Sequence, residues 1–100
     1  MTIIRSQEFI KNIKSIKDAK LNTIITRRLT RLFDGNFGDT KALGGGIFEI
    51  RIHYGSGYRI YYTRRGEEII ILLCAGEKSH QKKSLETAKK ILKEVYNEKK

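Results

Sequence analysis

The chain has no proline, no tryptophan and one cysteine among its 100 residues. A lone thiol, Cys74, excludes an internal disulfide and any multi-cysteine zinc site, and it fits a reducing cytoplasm. Long apolar runs are missing too. The longest, Ile69 to Ala75, has seven residues and cannot span a bilayer core of about 30 Å. The opening Met1-Thr-Ile-Ile meets Arg5 at once, unlike the leader of an exported protein. A cytoplasmic protein with no membrane partner is therefore expected. The length is short for two ordinary domains, so one domain over residues 1–100 is expected, burying roughly 65% of its unfolded surface. No metal-ligand spacing, P-loop or dinucleotide fingerprint occurs, so neither metal nor cofactor is expected.

Acidic residues are scarce. Eleven Asp and Glu stand against 21 Lys and Arg, a net charge of +10 with a pI near 9.9. The excess is spread along the chain, so the folded body itself is positive. Such a surface serves solubility, or it attracts a polyanion or an acidic protein.

Hydrophobic spacing sets the elements. Residues 2–4 read as a brief strand. Ser6 is a candidate N-cap with Glu8 in the first turn, ahead of Phe9, Ile10, Ile13 and Ile16. Asp18 restarts a helical pattern through Leu21, Ile24, Ile25, Leu29, Leu32 and Phe33, with Lys20, Arg27, Arg28 and Arg31 on the other face. Together these predict a helical hairpin, ended by Gly35. Residues 35–46 hold five glycines and read as a loop carrying Asp39 and Lys41. The period then changes to two. Phe48, Ile50, Ile52 and Tyr54 alternate with Glu49, Arg51 and His53, and Tyr58, Ile60 and Tyr62 alternate with Arg59, Tyr61 and Thr63. Residues 68–74 are almost continuously apolar, as a strand covered on both faces would be. Ser79 is a candidate cap for a last helix with Leu85, Ala88, Leu92, Val95 and Tyr96 on one side. The order β-α-α-β-β-β-α predicts an α+β fold, the N-terminal helical hairpin packed on one face of a curved antiparallel sheet. The other face is expected to be open over residues 47–63.

On that open face the alternation gathers Glu49, Arg51, His53, Arg59 and Tyr61. A three-residue turn at 55–57 would set His53 opposite Arg59 and Arg51 opposite Tyr61, with Cβ atoms about 5 Å apart. The patch reads either as a solvated face with weak ion pairs or as a phosphate cradle. Arginine forks match phosphate oxygens, and Tyr or His can stack on an unpaired base. The segment Gly76-Glu-Lys-Ser-His80 precedes a helix N-terminus, where Lys78 and His80 either meet an anion or serve as ordinary surface residues. Lys41 is a further cation candidate. Cys74 reads as a core residue.

Several segments then come together in order: Gly35-Asn-Phe-Gly-Asp39, Lys41-Ala-Leu-Gly44, Phe48-Glu-Ile-Arg-Ile52, Gly57-Tyr-Arg-Ile-Tyr-Tyr62 and Leu72-Leu-Cys-Ala-Gly-Glu-Lys-Ser79. From about residue 5 to 96 the chain resembles the RelE/ParE superfamily of toxins from type II toxin–antitoxin modules. Its nearest branch looks like the HigB-like addiction module killer proteins related to phage proteins. The resemblance implies the architecture above and a metal-independent mRNA endonuclease, acting on messages in many relatives at the ribosome. In that chemistry the ribose 2′-OH attacks the adjacent phosphate, leaving a 2′,3′-cyclic phosphate and a 5′-OH. The matching positions are Arg51, Arg59 and Lys78 as catalytic residues, with Lys41 and His80 as RNA-binding; His53 and Tyr61, set on the open face by alternation, are added to the RNA-binding residues. The arginines suit charge stabilisation, Lys78 suits proton transfer or phosphate contact, and His53 or His80 suits proton transfer near neutral pH. The implied partners are mRNA and an acidic helix-turn-helix antitoxin. ParE-type members share the fold and poison DNA gyrase instead, and a non-catalytic basic nucleic-acid-binding module is the third reading. Truncating Arg51 or Arg59, both placed off the core face, is expected to change stability by less than about 0.5 kcal/mol.

Overall fold

In a computed structural model, residues 1–97 are described, with side chains through Val95. The expected apolar position Tyr96 lies outside the described side chains. The elements are β1 (Thr2–Arg5), α1 (Gln7–Lys14), α2 (Ala19–Phe33), β2 (Thr40–Gly44), β3 (Ile47–Ile52), β4 (Tyr58–Arg65), β5 (Ile69–Glu77), a short 3₁₀ turn (Lys78–His80) and α3 (Gln81–Asn97). The sheet runs β1-β5-β4-β3-β2. Neighbours are antiparallel except β1, which lies parallel to β5. The sheet is therefore mixed rather than purely antiparallel. It has one strand, β2, more than the sequence pattern predicts.

Local chemistry accounts for the helix ends. The Ser6 hydroxyl accepts the Phe9 N–H at 2.9 Å and donates to the Leu73 carbonyl at 2.7 Å, so one side chain caps α1 and ties it to β5. Asp18 caps α2 by accepting from the Lys20 and Leu21 amides. At the far end of α2 the Gly35 N–H reaches the Leu32 carbonyl and the Asn36 N–H reaches that of Arg31. This is a Schellman arrangement, and it requires the φ of +88° that glycine supplies. Where β1 stops, α1 takes over the edge of β5, with the Asn12 side chain accepting the Ala75 N–H at 2.9 Å.

The sheet is covered on both faces. On one side Phe9, Ile25 and Leu32 of the hairpin pack on Ile50, Ile52, Tyr58, Ile60, Tyr62, Ile70, Leu72 and Ala75. Phe48, Tyr62 and Phe37 stack alongside. On the other side Ala88 and Leu92 of α3 cover Ile47, Tyr61, Ile71, Leu73 and Cys74. The second face is therefore not open over the whole β3–β4 pair. It is closed over Tyr61, because the apolar stripe of α3 needs a partner and the apolar run of β5 supplies one. A register shift between Tyr61 and Tyr62, where β5 carries the extra residue Leu73, gives Leu73 and Cys74 to the same core.

Candidate functional site

The hairpin loop between β3 and β4 spans residues 53–57 rather than three residues. The Gly57 N–H closes on the Tyr54 carbonyl, with Gly55 and Gly57 at positive φ. The longer loop moves the register by two residues. Arg51 lies opposite Arg59, and Glu49 opposite Tyr61. This replaces the expected pairs His53–Arg59 and Arg51–Tyr61. A two-residue shift keeps every side chain on its face, so the patch retains its membership while its neighbours change.

Two rows cross the face toward α3. In one, Lys41 of β2, Glu49 of β3, Tyr61 of β4 and Cys74 of β5 are successive register partners. In the other, Arg51, Arg59 and Gly76 follow one another, and Asp39 adjoins Arg51 through the Arg51 N–H to its carbonyl at 3.0 Å. The first row runs under α3. Tyr61 is 0% exposed and Glu49 1% exposed. Tyr61, expected to offer its ring to RNA, is thus a core residue. Burial, followed by the Glu49 charge, holds its hydroxyl well above the usual phenol pKa. Glu49 accepts from Arg59 Nη1 at 2.7 Å and from Gln81 Nε2, at the start of α3, at 3.1 Å.

The second row lies at the open end of the face. The Arg51 Nη2 donates to Asp39 Oδ1 at 3.0 Å, and His53 Nε2 meets Asp39 Oδ2 at 2.5 Å. The hydrogen bonds from His53 and then from Arg51 pull the Asp39 carboxyl below the usual carboxylate value. Each arginine spends one of its five N–H donors on a carboxylate, and Arg51, 35% exposed against 13% for Arg59, is the more open of the two. The side-chain stem of Lys78 lies over Gly57, whose missing Cβ would stand 3.2 Å from the Lys78 Cβ, and the Lys78 N–H donates to the Gly57 carbonyl. Glycine at 57 thereby seats Lys78 beside the strand that carries Arg59.

The remaining candidates are dispersed. Lys41 is exposed across from the buried Glu49. His80 is exposed, with its Nδ1 3.7 Å from the Glu77 carboxylate. It opens on a separate cleft of about 590 Å³ shared with Tyr54, Tyr58 and Asp18. Burial, then Glu77, raises the Tyr58 hydroxyl to about 12. Ser79 sits inside the 3₁₀ turn and caps no helix. Cys74 is buried, its thiol pushed up to about 12 by burial, consistent with a core residue. Among the described residues no three His, Cys, Asp or Glu side chains converge as metal ligands, and no helix is long and apolar enough to cross a membrane.

Sequence reasoning missed two residues here. Arg28 was expected on the solvent side of α2. It is half-buried and donates to the carbonyls of Arg51 at 2.9 Å and Asp39 at 3.2 Å, fastening the start of β2 to the end of β3. A signal existed, because Arg28 follows Ile25 by three and precedes Leu32 by four, on the apolar stripe itself. Asp39 read only as a loop residue, because its partners come from another strand.

Solved structures of low identity share this fold. A mutant of the Escherichia coli toxin RelE in the free state superposes with a TM-score of 0.69 at 15% identity, covering 90% of this chain and 96% of that one. A chain of the intact E. coli RelBE toxin–antitoxin complex gives 0.64 at 14% identity, covering 76% of this chain and 94% of that one. An uncharacterized protein of Haemophilus influenzae is 41% identical over 83 residues, 83% of this chain and 84% of that protein. A family described as phage-derived protein Gp49-like (DUF891) matches residues 5–95. By that match, which spans nearly the whole sequence, the chain belongs to the phage-derived Gp49-like family.

Proposed function

We propose that this chain is the toxin of a type II toxin–antitoxin pair, a HigB-like mRNA endonuclease built as one domain over residues 1–100. The observation that carries the reading is the side-by-side placement of Arg51 and Arg59 in register at the open end of the sheet, with the Lys78 stem over Gly57 just ahead of the strand that bears Arg59. The RelE-like fold and the sequence resemblance support it. Two permanently charged forks, each braced by a carboxylate, form a preorganised cradle for a phosphate whose charge grows as the 2′-oxygen attacks. Lys78 then supplies a proton to the leaving 5′-oxygen. Lys41 and His80 contact the flanking backbone, and the reaction needs no metal. The antitoxin is an acidic helix-turn-helix protein, matched to the +10 charge of this chain.

The test is to mix the purified chain with ribosomes paused on a defined message and map new RNA ends. Internal cuts bearing 2′,3′-cyclic phosphate and 5′-OH are expected. Arg51→Ala should lower the cleavage rate about 10²–10³-fold, the usual cost of one transition-state donor. Arg27→Ala and Lys89→Ala, both exposed on helices, should cleave normally. Intact RNA together with inhibited gyrase supercoiling would replace this reading with gyrase poisoning.

A further inference from the structure

Asp39 is held more firmly than a surface loop residue requires. Its carbonyl accepts from the Arg51 N–H and from Arg28 Nη2, and Arg28 Nη1 reaches the Arg51 carbonyl. Gly38, at φ +60°, brings the backbone against that guanidinium, where a Cβ would stand 3.1 Å from Nη2. Residues of α2, β3 and the loop before β2 thus converge to aim one carboxylate. Its two oxygens are divided between Arg51 and the His53 ring, whose side chain is 75% exposed.

A carboxylate on Nε2 selects the tautomer that carries its proton there and leaves the Nδ1 lone pair available. Among the described residues Nδ1 has no hydrogen-bond partner. The same carboxylate also grips Arg51, so the free nitrogen and the phosphate-binding fork are set by one group. The charged groups at the ring are Asp39, from the loop, and Arg51, from β3, with Arg28 of α2 acting through the Asp39 backbone.

We propose that Asp39 is a positioning residue that fixes His53 as the Nε2–H tautomer, making Nδ1 the base of the RNA cleavage assigned above, on which this inference rests. His53 Nδ1 takes the proton of the ribose 2′-OH, the O2′–P bond forms and the P–O5′ bond breaks. The Lys78 ammonium gives its proton to O5′, and exchange with water restores both groups.

The experiment joins ring spectroscopy to kinetics on the full chain. Nitrogen-15 NMR of the imidazoles, with His80→Gln to assign the two rings, should show His53 as the Nε2–H tautomer in the parent and as a mixture in Asp39→Asn. With RNA presented on programmed ribosomes, His53→Gln should lower kcat by about 10²–10⁴-fold. Asp39→Asn should lower kcat at least about tenfold with little change in KM, and should cost clearly less in the His53→Gln background, where only its hold on Arg51 is left to lose. A mixed tautomer in the parent, or additive losses in the double variant, overturns the proposal while cleavage by the parent still stands. No cleavage by the parent, with the tautomer fixed by Asp39, overturns the ribonuclease reading and the base role with it.

Discussion

Arg59 shows how a side chain can leave one core and enter another. Off the hairpin-side face, as its strand position predicts, it is only 13% exposed, because it pairs with Glu49 beneath Gln81. Truncation therefore strands a buried carboxylate, which typically costs about 3–5 kcal/mol. This corrects the small effect expected from sequence. Arg59→Ala should lose stability in a denaturant titration, and Arg59→Gln with Glu49→Gln should recover most of it. If Arg59→Ala unfolds at the parental midpoint, the buried pair has no energetic weight. Asp39 makes a different prediction. Its folded pKa is depressed, so the stability it gives is present above the ordinary aspartate value of 3.8 and is lost as pH falls through the lower folded value. The gap in Tm between the parent and Asp39→Asn should hold at neutral pH and close in acid below 3.8. A gap that is flat from pH 7 to pH 2 rules out the carboxylate as its source.

Elements with a strong period were legible, and those defined by their neighbours were not. The α2 stripe from Leu21 to Leu32, the Ser6 and Asp18 caps and the two-residue alternation of β3 and β4 all follow from local sequence, while Phe33, at the end of that stripe, is 55% exposed. β2 did not. Its Thr-Lys-Ala-Leu-Gly stretch lies in a glycine-rich segment and is a strand because β3 offers an unpaired edge. The cover over Tyr61 was half legible. The apolar run of β5 implied two buried faces, yet alternation alone does not say which helix lies on which. The same limit hid Asp39, whereas Arg28 stood on the apolar stripe of α2, where its spacing from Ile25 and Leu32 marked it. The Arg28 clamp is testable on its element. Arg28→Ala takes one donor from each of two partly buried carbonyls, of which Asp39's keeps the Arg51 N–H, a loss of about 1–2 kcal/mol. Hydrogen exchange at the Arg51 amide, which donates to Asp39, should quicken. Arg28→Lys should not restore it, because an ammonium lacks the fork that spans both carbonyls. Unchanged exchange in Arg28→Ala would mean β2 is held by its ladder alone.

At the scale of the whole molecule, the charge of +10 should act on encounter more than on residence. Association with the proposed acidic antitoxin should slow at least about tenfold between 50 and 500 mM salt, while dissociation changes little. A salt-independent on-rate would assign recognition to apolar contact. The placement of β1 has a consequence in time. This first strand has one neighbour, β5, and Ser6 just after it bonds to Leu73, 67 residues further on. Ribosomes add about 5–20 residues per second, so β1 and the apolar side of the helical hairpin wait for seconds before β5 exists. The strands bearing Arg51 and Arg59 lie between these two events. During synthesis the chain passes from helices with an uncovered face to a finished sheet in a late step. A message cut ahead of the codon for Ile69 yields a peptide in which β1 has no strand to join.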